Sequence, residues 1–264
     1  MPQPLPKTGS LNVPQALEQA LALHHQGRLA EAGRLYAAIL AVRPDHIDAL
    51  QMLGLVKLAA GEPAEALRLV SAAMGVRKPS PQILLNHGLI LDALKRHQEA
   101  VASFDQALKL KSKYAEAHNN RGAALISLGR DEEALESCRK AIAIKPDYAE
   151  AHYNAGSALR GLGRYDEALK SFDRALALRP NYAKAHNNRG AVLEVQNMLP
   201  EALAAYERAL AGNAGFTEAR NNRCRVLCTL GRFDEALAIF ELIQIPWDQL
   251  QAQVALGDEA FVRD

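Results

Sequence analysis

Apolar and polar residues in this chain recur with a period of 34, and within each period the apolar ones fall at helical spacing. Ala115 to Tyr148 reads AEAHNNRGAALISLGRDEEALESCRKAIAIKPDY, and the pattern begins again at Ala149 as AEAHYNAGSALRGLGRYDEALKSFDRALALRPNY. Setting position 1 of each repeat at Val13, Ile47, Pro81, Ala115, Ala149, Ala183 and Thr217 gives seven units without an insertion. Position 20 is Ala32, Ala66, Ala100, Ala134, Ala168, Ala202 and Ala236. Position 8 is Gly54, Gly88, Gly122, Gly156 and Gly190, with Ala20 and Cys224 in the outermost units. Position 24 holds Tyr36, Phe104, Phe172, Tyr206 and Phe240, with Val70 and Cys138 departing from the aromatic pattern.

Each unit predicts two helices. Positions 4, 8 and 11 share one face of the first helix, and position 11 is Leu23, Leu91, Leu125, Leu159, Leu193 and Leu227, broken by Lys57. Glycine inside a helix costs about 1 kcal/mol against alanine. Its return at position 8 therefore implies a close approach of the paired helix that a larger side chain would block. Leu-Gly-Arg, at Leu128 to Arg130, Leu162 to Arg164 and Leu230 to Arg232, closes the first helix with glycine in the left-handed region. Acid follows at Glu132-Glu133, Asp166-Glu167 and Asp234-Glu235, near the positive end of the second helix. Pro44, Pro146 and Pro180 stop that helix. Softer joints are expected at Lys78-Pro79-Ser80-Pro81 and around Gly212 and Gly215, and Lys95 stands where glycine usually closes the first helix. The expected organisation is a disordered leader over residues 1–12, then repeats at 13–46, 47–80, 81–114, 115–148, 149–182, 183–216 and 217–250. A C-terminal cap follows at 251–264, its helix falling within 248–262.

By positions 4, 7, 8, 11, 20, 24, 27 and 32 the chain resembles the tetratricopeptide repeat family over about residues 13–250. More narrowly, AEAHNNRGAAL, LGRYDEALKSFDRALAL and RPNYAKAHNNRG resemble the repeat arrays preceding the catalytic domain of bacterial O-linked N-acetylglucosamine transferase-like proteins. The sequence is expected to carry that repeat half without the nucleotide-sugar-binding half. The resemblance implies an all-α, right-handed superhelical solenoid of about seven helix-turn-helix repeats with a C-terminal capping helix. Its first helices would line an inner groove that takes an extended peptide or a partner helix.

Position 6 carries the sharpest functional signal: Asn86, Asn120, Asn154, Asn188 and Asn222 in five consecutive units. Positions 2, 6, 9 and 13 form a stripe opposite the packed face, so these carboxamides would make a ladder with steps of about 8–10 Å. A carboxamide both donates and accepts, and can pair with both groups of a peptide unit; transferase-like relatives use such asparagines this way. The alternative is that they tether neighbouring helices or face water. Asn119, Tyr153, Asn187 and Asn221 at position 5 would extend the polar surface. Met52, Leu55, Leu85 and Leu89 would make an apolar end, open to a partner or covered by the leader or a second copy of the chain.

Arg121, Arg189 and Arg223 replace the family's usual leucine at position 7, either to anchor a carboxylate or to pack between units with the head on a surface acid. The chaperone-binding pattern of the family is not met, because position 9 is Ala123, Ser157 or Ala191 and position 6 never carries arginine. His118, His152 and His186 recur one unit apart, too far for one metal ion at about 2 Å, and read as packing residues. Cys224 and Cys228 share a helix face without further ligands, and three cysteines make no disulfide framework, so a reducing cytoplasm is expected. No cofactor motif or catalytic constellation accompanies the repeats. A net charge of +1 gives no field for nucleic acid or anionic lipid, and no apolar run reaches the roughly 20 residues of a membrane span. The expected partner is a protein or peptide, with homo-oligomers or glycosyltransferase substrate recognition as further readings.

Overall fold

The computed structural model describes residues 11–241, and all regular structure within them is helical. The leader before Leu11 and the C-terminal cap therefore lie outside the described residues. The first four repeats form α1 (Val13–His25), α2 (Leu29–Val42), α3 (Ile47–Ala59), α4 (Pro63–Val76), α5 (Pro81–Ala93), α6 (His97–Leu110), α7 (Ala115–Ser127) and α8 (Asp131–Ile144). The next three form α9 (Ala149–Gly161), α10 (Tyr165–Leu178), α11 (Ala183–Val195), α12 (Leu199–Gly212), α13 (Thr217–Thr229) and α14 (Phe233–Glu241). Contacts divide the chain into two compact units, one ending at Pro146 and one beginning at Asp147. Neither softer joint of the sequence coincides with that division.

In the first unit α1 pairs with α2, α3 with α4, α5 with α6 and α7 with α8, and each second helix also packs on the next first helix. The second unit repeats the scheme, with α9 on α10, α10 on α11, α11 on α12, α12 on α13 and α13 on α14. The position-20 alanines are all buried, from Ala32 to Ala236, which leaves no room for a larger side chain where the paired helices meet. A β-carbon on Gly156 would lie 2.7 Å from the Phe172 ring, and one on Gly190 would lie 2.7 Å from the Tyr206 ring. In the first unit a β-carbon on Gly54 would meet Val70 at 2.7 Å, one on Gly122 would meet Cys138 Sγ at 2.5 Å, and one on Gly88 would strike the Phe104 ring. Position 8 is thus small because position 24 fills the space above it. The two positions are one contact.

The turn between paired helices keeps one conformation whatever residue stands there. Gly27, Gly61, Gly129, Gly163 and Gly231 have φ between +69° and +78°. Lys95 (φ 62°) and Asn197 (φ 59°) adopt the same left-handed backbone without being glycine. The hydrogen bonds explain why: Arg96 N–H reaches Leu91 O at 2.9 Å and Met198 N–H reaches Leu193 O at 2.8 Å, as Arg28 N–H reaches Leu23 O. These six-to-one bonds satisfy carbonyls at the helix end. After the turn, Arg28, Arg96, Arg130, Arg164 and Arg232 each grip the glutamate three residues on with two nitrogens. Each fork fixes the start of a second helix whose N-cap residue offers no side-chain acceptor.

Replacing Gly156 with leucine is expected to cost about 1–3 kcal/mol through overpacking against Phe172, read as a lower urea midpoint with unchanged far-ultraviolet ellipticity at low denaturant. Replacing Lys95 with glycine is expected to stabilise the protein by about 0.5–1 kcal/mol, because a lysine at φ 62° carries a Cβ penalty that glycine lacks. A matching Lys95→Ala variant, which keeps the penalty, should show no such gain.

Candidate functional site

The open face of the first helices is bordered by exposed residues at position 2 (Gln82, Glu116, Lys184, Glu218) and position 13 (Ala93, Ser127, Gly161, Val195). Between them, position 6 sits at partial depth: Asn120, Asn188 and Asn222 are half-buried, while Asn86 and Asn154 are buried. Position 5 varies more from repeat to repeat. Asn119, Asn187 and Leu85 are 5%, 1% and 5% exposed, Tyr153 is half-buried, and Asn221 alone of the expected set is fully exposed. Asn119 and Asn187, expected to extend the polar surface, and Leu85, expected at the apolar end, are thus buried. Asn187 turns toward α13, where it bonds Glu218 and Asn222.

In the first unit, Asn86 Oδ1 accepts a hydrogen bond from Gln82 Nε2 at 3.1 Å, while its Nδ2 is buried without a partner. Gln82 is held in turn by the Tyr114 hydroxyl, which donates to its Oε1 at 2.7 Å. Asn119 Nδ2 approaches Asn120 Oδ1 at 3.4 Å. Met52, Leu55 and Leu89 are half-buried, and Leu21 joins Leu55 and Leu89 at position 9. Position 9 is thus apolar through the first unit, down to Ala123 of α7.

In the second unit the carboxamides connect one first helix to the next. Asn188 Nδ2 of α11 donates to the Tyr153 hydroxyl (3.1 Å) and Ser157 Oγ (3.3 Å) of α9. Asn222 Nδ2 of α13 donates to Asn187 Oδ1 (3.0 Å), and Asn187 Nδ2 donates to Glu218 (2.9 Å). Arg225 donates to Asn222 Oδ1 at 3.0 Å and forms an ion pair with Glu194, which also accepts the Tyr206 hydroxyl at 2.8 Å. Tyr153 packs at a tilt against Tyr182 with ring centroids 5.1 Å apart, and Arg179 lies 4.8 Å over the Tyr182 ring. Burial raises the pKa of the Tyr153, Tyr182 and Tyr206 phenols, so all three remain neutral hydrogen-bonding groups near physiological pH. The link from Tyr206 through Glu194 to Arg225 spans three helices and follows no sequence periodicity.

The histidines at position 4 take a structural part. His118 Nε2 donates to Ser112 O at 3.0 Å, and His186 Nε2 donates to Pro180 O at 2.8 Å, each pinning the preceding inter-repeat turn. The position-7 arginines pair with an acid sixteen residues earlier on the preceding second helix: Arg121 with Asp105 (2.6 Å), Arg189 with Asp173 (2.7 Å) and Arg223 with Glu207 (3.3 Å). Among the described residues, no three His, Cys, Asp or Glu side chains gather as a metal would need. Cys138 and Cys224 are buried free thiols whose pKa burial pushes up to about 12, which leaves them protonated and unreactive. No helix among the described residues is long and apolar enough to cross a membrane.

Two family models match the chain. One, described as TPR repeat, covers residues 88–129, 122–163 and 156–197; the other, described as Tetratricopeptide repeat, covers 23–84 and 196–254. No curated protein matches it. A tetratricopeptide repeat protein from Parabacteroides merdae superposes with a TM-score of 0.72 at 17% identity, over 92% of this chain and 98% of that one. MamA from Desulfovibrio magneticus RS-1 is 25% identical with a TM-score of 0.57, over 65% of this chain and 97% of its own. YrrB, described as a TPR protein with an unusual peptide-binding site, is 23% identical with a TM-score of 0.54, over 64% of this chain and 88% of its own.

Burial lowers the pKa of His24, His87, His118 and His186 below the free value of 6.5. The unfolded chain then binds more protons than the folded one between the lowered values and 6.5, so stability rises with pH there. Stability is expected to be full above about pH 7 and to fall as pH drops through about 6.5. Urea midpoints across that range check it, and His118→Gln with His186→Gln should flatten the slope.

Proposed function

Because the chain belongs to the tetratricopeptide repeat family, we propose that it is a non-catalytic interaction scaffold whose partner polypeptide lies along the open face of the first helices. The observation that carries this reading is the column of carboxamides from Asn86 to Asn222, one per repeat in five consecutive repeats, bordered by exposed residues at positions 2 and 13. In the free protein several of these amides hold neighbouring helices. Binding therefore exchanges or adds hydrogen bonds rather than filling an empty row. Asn188 donates to Tyr153 and Ser157, and its Oδ1 receives only the long 3.4 Å contact from Asn187. That leaves acceptor capacity for a backbone N–H of the partner.

The partner is amphipathic on this reading. The first unit offers apolar surface at Met52, Leu55 and Leu89 beside the polar Asn120, and the second unit offers polar groups at Asn188, Asn221 and Asn222. Hydrogen bonds at roughly 0.5–1.5 kcal/mol each must offset the ordering of a flexible chain, which gives an affinity on the order of micromolar. The phrasing shared with O-linked N-acetylglucosamine transferase-like arrays favours a second reading, recognition of the substrate for a catalytic part carried elsewhere. The peptides captured would then carry the side-chain hydroxyls that O-linked transfer requires.

Display selection of random peptides on the full chain, followed by calorimetry of the enriched sequences, tests the proposal. Asn120→Ala with Asn154→Ala and Asn188→Ala should weaken capture at least about tenfold while leaving helicity intact, since three lost bonds of about 1 kcal/mol exceed the roughly 1.4 kcal/mol of one decade. Full-strength binding by the triple variant would end the carboxamide reading.

A further inference from the structure

Two equivalent clefts lie on the second-helix side of the repeats, one in each unit. The cleft of the first unit, about 380 Å³, is lined by Asp105, His118, Arg121, Glu133, Glu136 and Lys140. That of the second unit, about 600 Å³, is lined at the corresponding positions by Asp173, His186, Arg189, Glu201, Ala204 and Arg208. Both share the arginine–aspartate pair and the turn-pinning histidine.

They differ in what neutralises the remaining charges. In the first cleft Glu133 is gripped by Arg130, and Lys140 pairs with Glu136 at 2.6 Å. In the second, Met198 stands in place of the gripping arginine and Ala204 in place of the pairing glutamate. Glu201 and Arg208 are exposed, like their counterparts in the first cleft, but among the described residues they make neither a hydrogen bond nor an ion pair. α12 thus presents Glu201, Ala204 and Arg208 as exposed neighbours on one face, its opposite charges seven residues, or about 10 Å, apart along the axis.

We propose that this face of α12 docks on α12 of a second copy of the chain, in antiparallel register about a two-fold axis. The charge pattern is its own complement. Reversing the helix direction brings Glu201 of each copy opposite Arg208 of the other, and the symmetry makes both pairs identical. The small side chain of Ala204 between the charges lets the two helices approach closely, and a net charge of +1 sets up little repulsion between copies. The proposal does not depend on peptide binding at the first-helix face, which lies on other helices. One helix face is smaller than the roughly 1,000 Å² that a stable interface buries, and exposed ion pairs contribute little each. The dimer is therefore weak and salt-sensitive, populated at protein concentrations on the order of 0.1–1 mM.

Sedimentation equilibrium of the full chain at low ionic strength tests this, with circular dichroism confirming that each variant is folded. Wild type should dimerise, and about 0.5 M salt should weaken the association. Glu201→Arg alone and Arg208→Glu alone each set like charges against each other twice and should raise the dissociation constant at least about tenfold. Mixing the two single variants should restore dimers, because every facing pair is then opposite in sign; the doubly reversed variant should also dimerise. A wild type that stays monomeric throughout, or an association indifferent to both single reversals, would overturn the proposal.

Discussion

The distance between the two helices of each repeat is the constraint on which the other contacts depend. It is set where position 8 of the first helix meets position 24 of the second: Gly156 under Phe172, Gly190 under Tyr206, Gly122 under Cys138. A repeat fold has no central core to average out a local misfit, since each helix pair contacts only its neighbours. A pair held too far apart would shift the next first helix and with it every polar contact that helix makes. The buried position-20 alanines act in the same direction, admitting the second helix at the depth that brings position 24 over the glycine.

That spacing also determines what the open face can offer. In the second unit neighbouring first helices are close enough for Asn188 to reach Tyr153 and for Asn222 to reach Asn187. Residues available to a partner are thereby part of the array's own hydrogen bonding. A partially buried carboxamide is costly to leave unpaired, so lateral bonding in the free protein is the low-energy arrangement. It also holds the amides in fixed orientation, which lowers the ordering cost when a chain is bound. The orphaned Nδ2 of Asn86 marks the point in the first unit where this lateral satisfaction is incomplete.

The fold is legible because its determinants recur. The register, the paired helices, the meaning of glycine at position 8 and the left-handed turn all follow from columns of identical residues. Less legible are features created by pairs of residues that do not recur together. The forks from Arg130, Arg164 and Arg232 to glutamates three residues on need only helix geometry to foresee, but the sequence presents those acids as dipole partners alone. Position 7 offers two readings, and the side chains of Arg121, Arg189 and Arg223 pair with acids of the preceding second helix. The burial of Asn187 is not legible in the sequence because a helical wheel ranks faces of one helix and says nothing of the next. Asn187 is covered by α13, whose proximity comes from stacking rather than from the periodicity of α11. The division after Pro146 leaves no mark in the sequence at all.

Departures from the repeat pattern fall into two kinds, and the backbone separates them. At Lys95 and Asn197 the residue departs but the left-handed turn persists, because the six-to-one hydrogen bonds across it outweigh the local penalty. Such departures test how firmly the array imposes its geometry. Met198 and Ala204 are of the second kind: α12 keeps its place against α11 and α13, while a glutamate and an arginine are left without partners among the described residues. Nothing in the packing required that loss, since the first unit shows the same cleft with its charges satisfied. When a scaffold holds its geometry by repetition, residues outside the repeated contacts can change without disturbing it. Function specific to one chain is best sought where an otherwise satisfied position has been left open.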